Sequence, residues 1–174
     1  MNEISQETLD AIKYATTIEI TGQSFYEHAA ELTHNEHGIK MFKKLAQDES
    51  GHIKTFSEMF TSVLGTDEWQ QFINKEEINK TTLLDELKTR IKKQEEERAS
   101  ELEALRIGME LERKSIDYYK KSANESKDTK AKEIFNRLVK EEEFHYDLLQ
   151  AQYDSLTGSG FWFDMAEFKM DGRF

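Results

Sequence analysis

The sequence predicts an all-α fold: a four-helix bundle made of two repeated helical hairpins with a long crossover connection between them. Three observations carry that expectation. The 174-residue chain contains no proline, where average usage would supply about nine. Proline breaks helix interiors, and the surplus of Glu, Lys, Leu and Gln favours helix. Apolar side chains recur at helical spacing in four stretches. Finally, a shift of 93 residues lays positions 9–60 on 102–153 without a gap.

Within residues 5–33 the first stripe runs through Ile12, Ala15, Gly22, Tyr26 and Ala29. The polar run His34-Asn35-Glu36-His37-Gly38 breaks it. A second stripe carries Phe42, Leu45, Phe56 and Met59. From about residue 61 to 81 the pattern weakens, and Gly65 and Asn74-Lys75-Glu76-Glu77 mark a loop that Trp69, Phe72 and Ile73 are expected to anchor. Residues 82–99 read as a solvated helix supported by pairs such as Glu86 with Arg90. A third stripe (Leu105, Gly108, Tyr119, Ser122) ends at Ser126-Lys127-Asp128, and a fourth carries Phe135, Leu138, Leu149 and Leu156. Residues 1–157 are thus read as one bundle. Residues 158–174 form an aromatic tail rather than a separate domain, with Phe161, Trp162, Phe163 and Phe168 expected to dock on the bundle's flank or on a second subunit.

Under the 93-residue shift, Leu9/Leu102, Ala11/Ala104, Glu19/Glu112, Tyr26/Tyr119, Ala30/Ala123, Phe42/Phe135, Leu45/Leu138, Glu49/Glu142 and His52/His145 coincide. These identities fall at helical spacing on inward faces, the signature of a duplicated hairpin.

Composition removes several classes of function. A net charge of −11 argues against nucleic acid and against anionic membrane surfaces, both of which need a basic face. With no cysteine, disulfides, thiolate catalysis and Cys-ligated zinc or iron–sulfur clusters are excluded. The acidic, periodic start shows no signal peptide, and no apolar run reaches membrane-spanning length. A cytoplasmic location is expected.

Glu19, Glu49 and His52 lie in the middle of the first two stripes, and Glu112, Glu142 and His145 repeat them. Residues equidistant from a hairpin turn lie side by side. The midpoint of 19 and 49 is 34, and that of 112 and 142 is 127, both inside the polar breaks. At about 1.5 Å per residue each glutamate is roughly 22 Å from its turn, so all four reach one level. Four ionised carboxylates inside an apolar bundle cost several kcal/mol each and repel one another. Two metal ions balance them, with the imidazoles as neutral ligands. A Glu from each of two helices and a Glu-x-x-His from each of the other two is the di-iron or di-manganese pattern of carboxylate bundles. A third instance, Glu31-x-x-His34, is about 120° round the helix from Glu19 and reads as solvated surface, as do His28 and His37. Small residues flank the ligands: Ala15 and Gly22 beside Glu19, Gly108 and Ser115 beside Glu112. They leave room for ions and a small oxidant. Tyr26 and Tyr119, two turns from the ligands, are placed to donate hydrogen bonds to the carboxylates. Phe25, Phe56, Tyr118, Phe144 and Tyr146 read as core or flank packing.

The stretches IEITGQSFYEHAAEL with MFKKLAQDESGHIKTF, and LELERKSIDYYKKSA with IFNRLVKEEEFHYDLL, resemble the rubrerythrin branch of the ferritin-like superfamily across residues 5 to 157. The resemblance implies a ferritin-like bundle with a non-haem di-iron centre on Glu19, Glu49, His52, Glu112, Glu142 and His145. It also implies reduction of hydrogen peroxide, or of oxygen, in a dimer or larger assembly, and a homodimer is expected here. The family's rubredoxin-like four-cysteine site is absent, so electrons are expected from an external donor such as a rubredoxin-like protein. Ser115 stands nearest the position of an additional family glutamate. Two other readings suit an acidic helical bundle: a ferroxidase that handles iron, and a metal-free interaction scaffold. The repeated inward ligands argue against the scaffold.

Overall fold

A computed structural model describes residues 5–64, 89–90 and 97–158. Four long helices make up the fold: α1 (Gln6–Leu32), α2 (Glu36–Leu64), α3 (Glu97–Glu125) and α4 (Thr129–Thr157). Among the described residues there is no β-strand, and no helix is long and apolar enough to cross a membrane.

Short polar side chains set the boundaries. Ser5 Oγ accepts from the Thr8 N–H at 3.2 Å and starts α1. Asn35 Oδ1 accepts from the N–H groups of His37 and Gly38 at 2.9 and 3.0 Å, starting α2. Asp128 Oδ1 does the same for Ala131 at 2.7 Å, starting α4. Asn35 and Asp128 are repeat partners, so the cap is duplicated with the hairpin. The first break is shorter than its polar run suggests, because the Asn35 cap turns Glu36, His37 and Gly38 into the opening turn of α2. Gly158, at φ 70°, ends α4 in the left-handed conformation, its N–H donating to the Asp154 carbonyl.

α1 packs on α2, and α3 on α4, as antiparallel hairpins. Across the bundle α1 meets α3 and α2 meets α4, and the contacts are reciprocal. Tyr26 reaches Glu112 while Tyr119 reaches Glu19, and His52 approaches Glu142 while His145 approaches Glu49. Reciprocity of this kind is the mark of a pseudo-two-fold axis.

Two apolar clusters lie on either side of the polar level. One contains Phe25, Tyr26, Phe42, Leu45, Leu105 and Leu149. The other contains Ile12, Phe56, Phe60, Tyr119, Phe135 and Leu138. The expected ring layers form: Tyr26 stacks on Phe42 with centroids 6.2 Å apart, and Tyr119 on Phe135 at 5.9 Å. Each buried Leu or Phe of these layers contributes about 1.5–3 kcal/mol of burial, which holds the charged level in place. Phe25 and Phe56 are core residues, but Phe144 is 50 % exposed and packs in neither cluster. Its repeat partner is Gly51, itself exposed, so the pair faces outward. Tyr146 lies on the flank beneath Arg113, whose guanidinium is 4.9 Å from the ring centre.

At one end of the bundle the repeat is broken in a coordinated way. Glu101 replaces the equivalent of Thr8, is buried, and accepts from Gln152 Nε2 at 3.2 Å. Gly38 makes room for it: a Cβ there would overlap Glu101 Oε1 and lie 2.8 Å from Thr33 Cγ2.

The expected anchoring by Trp69, Phe72 and Ile73 and the docking of the aromatic tail lie outside the described residues, as does most of the 82–99 helix.

Candidate metal centre

All six residues singled out in the sequence converge. Glu19, Glu49, His52, Glu112, Glu142 and His145 are each at most 4 % exposed. They form two overlapping groups, Glu19–Glu49–His52–Glu142 and Glu49–Glu112–Glu142–His145, with one ligand atom per residue all within 4.8 Å in each. Exchanging repeat partners (19 with 112, 49 with 142, 52 with 145) turns one group into the other, and Glu49 and Glu142 belong to both.

The imidazole rings stack 5.7 Å apart at the centre. His52 Nδ1 lies 3.0 Å from Glu19 Oε2, 3.1 Å from Glu49 Oε2 and 3.1 Å from Glu142 Oε1. His145 Nδ1 lies 2.8 Å from Glu142 Oε2 and 3.8 Å from both Glu49 Oε1 and Glu112 Oε1. One ring nitrogen carries at most one proton, so His52 cannot satisfy three carboxylates. Glu142 Oε1 is off the line of a hydrogen bond and has no such partner among the described residues. A buried carboxylate oxygen left that way is costly. A cation among these oxygens removes the cost, and an oxygen-rich set with two imidazoles suits iron or manganese. The residues fit a two-metal centre.

Protons meet the same demand without metal. Burial, and then the charges of Glu142 and Glu19, hold Glu49 well above the usual carboxylate range. Burial, and then Glu142, do the same to Glu112. Burial alone would lower His145, but Asp48, Glu142 and Glu112 outweigh it and raise its pKa to about 10. His52 is raised in the same way, its burial outweighed by Glu19, Glu141 and Glu142. Burial of Glu142 is outweighed by both histidines, which lower its pKa.

Tyr26 and Tyr119 donate to Glu112 and Glu19 respectively, each across the bundle. Burial first, then the facing carboxylates, keep both phenols protonated well above their usual range, so they act as fixed donors.

Four participants escaped the sequence reading. His52 Nε2 is 2.7 Å from Glu141 Oε2, and His145 Nε2 is 3.5 Å from Asp48 Oδ2. Behind these acids, Lys44 pairs with Asp48, and Arg137 Nε is 3.4 Å from Glu141 Oε1. Asp48/Glu141 and Lys44/Arg137 are repeat partners that keep charge but not identity. Matching charge signs across the repeat would have revealed them.

The small residues divide in role. A Cβ on Gly22 would lie 3.4 Å from the Glu49 carboxylate, so this glycine borders the site. Gly108 instead admits Leu149 and the Tyr26 ring, 3.2 and 3.4 Å from a notional Cβ; there the small residue serves close packing rather than open space. Ser115 Oγ donates to the Leu111 carbonyl of its own helix at 3.2 Å. Glu31 is a surface residue, its side chain 74 % exposed and paired with His28 at 3.2 Å. His34 and His37 are exposed.

Comparison with known proteins gives a family match and a shared fold. The sequence model of the rubrerythrin family matches residues 10–153. An uncharacterized protein of Bacillus subtilis (strain 168), YhjR, is 26 % identical over 121 residues, covering 69 % of this chain and 68 % of that one. A solved structure of a hypothetical protein from Pyrococcus furiosus superimposes with a TM-score of 0.65 at 19 % identity, over 93 % of this chain and 96 % of the other. This likeness establishes the shared fold.

Proposed function

Since the chain belongs to the rubrerythrin family, we propose that it is a non-haem di-iron oxidoreductase that reduces hydrogen peroxide with electrons from an external donor. The carrying observation is the pair of ligand groups that share Glu49 and Glu142. In this reading Glu19, Glu49, His52, Glu112, Glu142 and His145 would hold the two ions, Glu49 and Glu142 being common to both groups.

Two ferrous ions held there supply the two electrons that reduction of hydrogen peroxide to water consumes, and polarise the bound oxidant. The chain's own residues prepare the ground. Nδ1 of each histidine points into the carboxylates, and an acid at each Nε2 fixes the ring and its tautomer. Tyr26 and Tyr119 hold one oxygen each of Glu112 and Glu19, which limits how those carboxylates swing. Apolar layers on both sides exclude bulk water. With no cysteine in the chain, the reduced state is restored from outside, by a donor such as a rubredoxin-like protein.

Anaerobic iron loading followed by stopped-flow mixing tests the reading. Two irons per chain and rapid oxidation by peroxide are expected. Rapid oxidation by oxygen with none by peroxide would assign the chain to ferrous-iron oxidation instead.

A further inference from the structure

Three tyrosines link the site to the bundle surface. Tyr119 donates to Glu19. Its ring centroid is 6.0 Å from that of Tyr118, which is 4.7 Å from that of Tyr14. Tyr14 is 55 % exposed, and Tyr118 is tied to α1 through its hydroxyl, which donates to the Ala11 carbonyl at 3.3 Å. The repeat-partner positions form no such series. The repeat partner of Tyr119 is Tyr26, but that of Tyr118 is Phe25, and that of Tyr14 is the buried Ile107. Among the described residues, only one of the two places related by the pseudo-two-fold axis carries phenols from the carboxylates to solvent.

We propose that Tyr14, Tyr118 and Tyr119 form a one-electron route from the surface to the site, which supplies the missing electron when peroxide meets a single bound ferrous ion. This rests on the peroxide-reducing reading above. Converting one hydrogen peroxide to two waters takes two electrons and two protons. The ferrous ion gives one electron and becomes ferric. Tyr119 gives the second, its phenol proton passing along the hydrogen bond to Glu19. An electron from Tyr14, through the Tyr118 ring, restores Tyr119, which recovers its proton from Glu19. Tyr14 releases its own proton to water and remains as a neutral tyrosyl radical, and solvent provides the other proton. The O–O bond is then broken without release of a hydroxyl radical, and a one-electron reductant in solution can restore the exposed Tyr14.

The test uses the full chain loaded anaerobically with a single ferrous equivalent and mixed with peroxide without reductant. Freeze-quench paramagnetic resonance reads the radical, and spin-trap adducts are mapped by peptide mass spectrometry. A tyrosyl signal and an adduct on Tyr14 are expected. Tyr14→Phe should lose the adduct but keep a signal on a buried ring, and Tyr119→Phe should lose the adduct on Tyr14. Tyr118→Phe installs the residue that its partner Phe25 already carries, so the packing is kept, and the adduct yield should fall. Peroxide consumption without a tyrosyl signal would overturn the route while leaving the functional reading intact. Unchanged Tyr14 adducts in both Tyr119→Phe and Tyr118→Phe would also overturn it, since diffusing radicals would then be the cause. Iron that peroxide leaves ferrous would overturn the functional reading, and the route with it.

Discussion

The hydroxyl of Tyr26 on α1 donates to the carboxylate of Glu112 on α3, not to Glu19 on its own helix. Tyr119 returns the contact to Glu19. Each buried carboxylate is thereby held by the opposite hairpin, so the two halves position each other's site carboxylates. Tyr26→Phe or Tyr119→Phe leaves one buried carboxylate oxygen without its donor, an effect of about 1–3 kcal/mol. Metal affinity should fall about 10–100-fold with the fold retained. Equilibrium metal titration of each variant, together with thermal melting, measures both effects.

The shared glutamates are expected to decide stoichiometry. Glu49→Ala/Glu142→Ala removes the two residues common to both ligand groups, and two-metal occupancy should be abolished. Metal analysis after anaerobic loading checks this. Full occupancy in the double variant would be incompatible with the proposed centre.

Glu141 and Asp48 offer a test at the edge of the site. Their carboxylates face the Nε2 atoms of His52 and His145. Glu141→Gln and Asp48→Asn keep the shape and remove the charge, so each should weaken metal binding about 10–100-fold through the ring it orients. Because the Glu141 contact is the shorter, at 2.7 Å against 3.5 Å, Glu141→Gln should have the larger effect. Competition with a chromophoric chelator would rank the two.

Stability without metal should fall as pH rises. The folded state raises His145 from 6.5 to about 10, so the fold binds this proton more tightly than the unfolded chain does. Its contribution is fully present below about pH 6.5 and is lost as pH climbs through about 10. His52, Glu49 and Glu112 are also raised and act with the same sign, the glutamates starting from their ordinary 4.5. Glu142, which is lowered, acts in the opposite sense, losing its contribution only in acid below 4.5. Metal needs these groups deprotonated, so the rise in melting temperature on metal addition should grow over the same range. Melting curves from pH 6 to 10, with and without metal, would refute this if the two sets ran parallel.

Gly38 and Glu101 should behave as a coupled pair. Gly38→Ala forces a Cβ against Glu101 and Thr33 and should destabilise the bundle by about 1–3 kcal/mol. Adding Glu101→Thr, which restores the residues found at the repeat partners Ala131 and Thr8, should recover the part of that loss that comes from Glu101 and leave the part that comes from Thr33. A double-mutant cycle by chemical denaturation reads the coupling.

The four helices, the level at which the six buried glutamates and histidines meet and the pairing of Tyr26 with Phe42 were legible in the sequence for one reason. Helical period tells which face is inward, and equal distance from a turn tells which residues of a hairpin meet. Those two rules act along single helices and within single hairpins. How one hairpin lies against the other obeys neither, because the partners are some ninety residues apart and no local periodicity links them. Only the packed bundle decided that Tyr26 crosses to Glu112, that Asp48 and Glu141 meet the outer nitrogens of the opposite helix's histidine, and that the Tyr14 ring packs tilted against Tyr118. It also decided that Gly108 admits a leucine instead of opening a space, and that Phe144 faces solvent. Lateral contact between antiparallel helices depends on their rotation and spacing, which the side chains of all four set together.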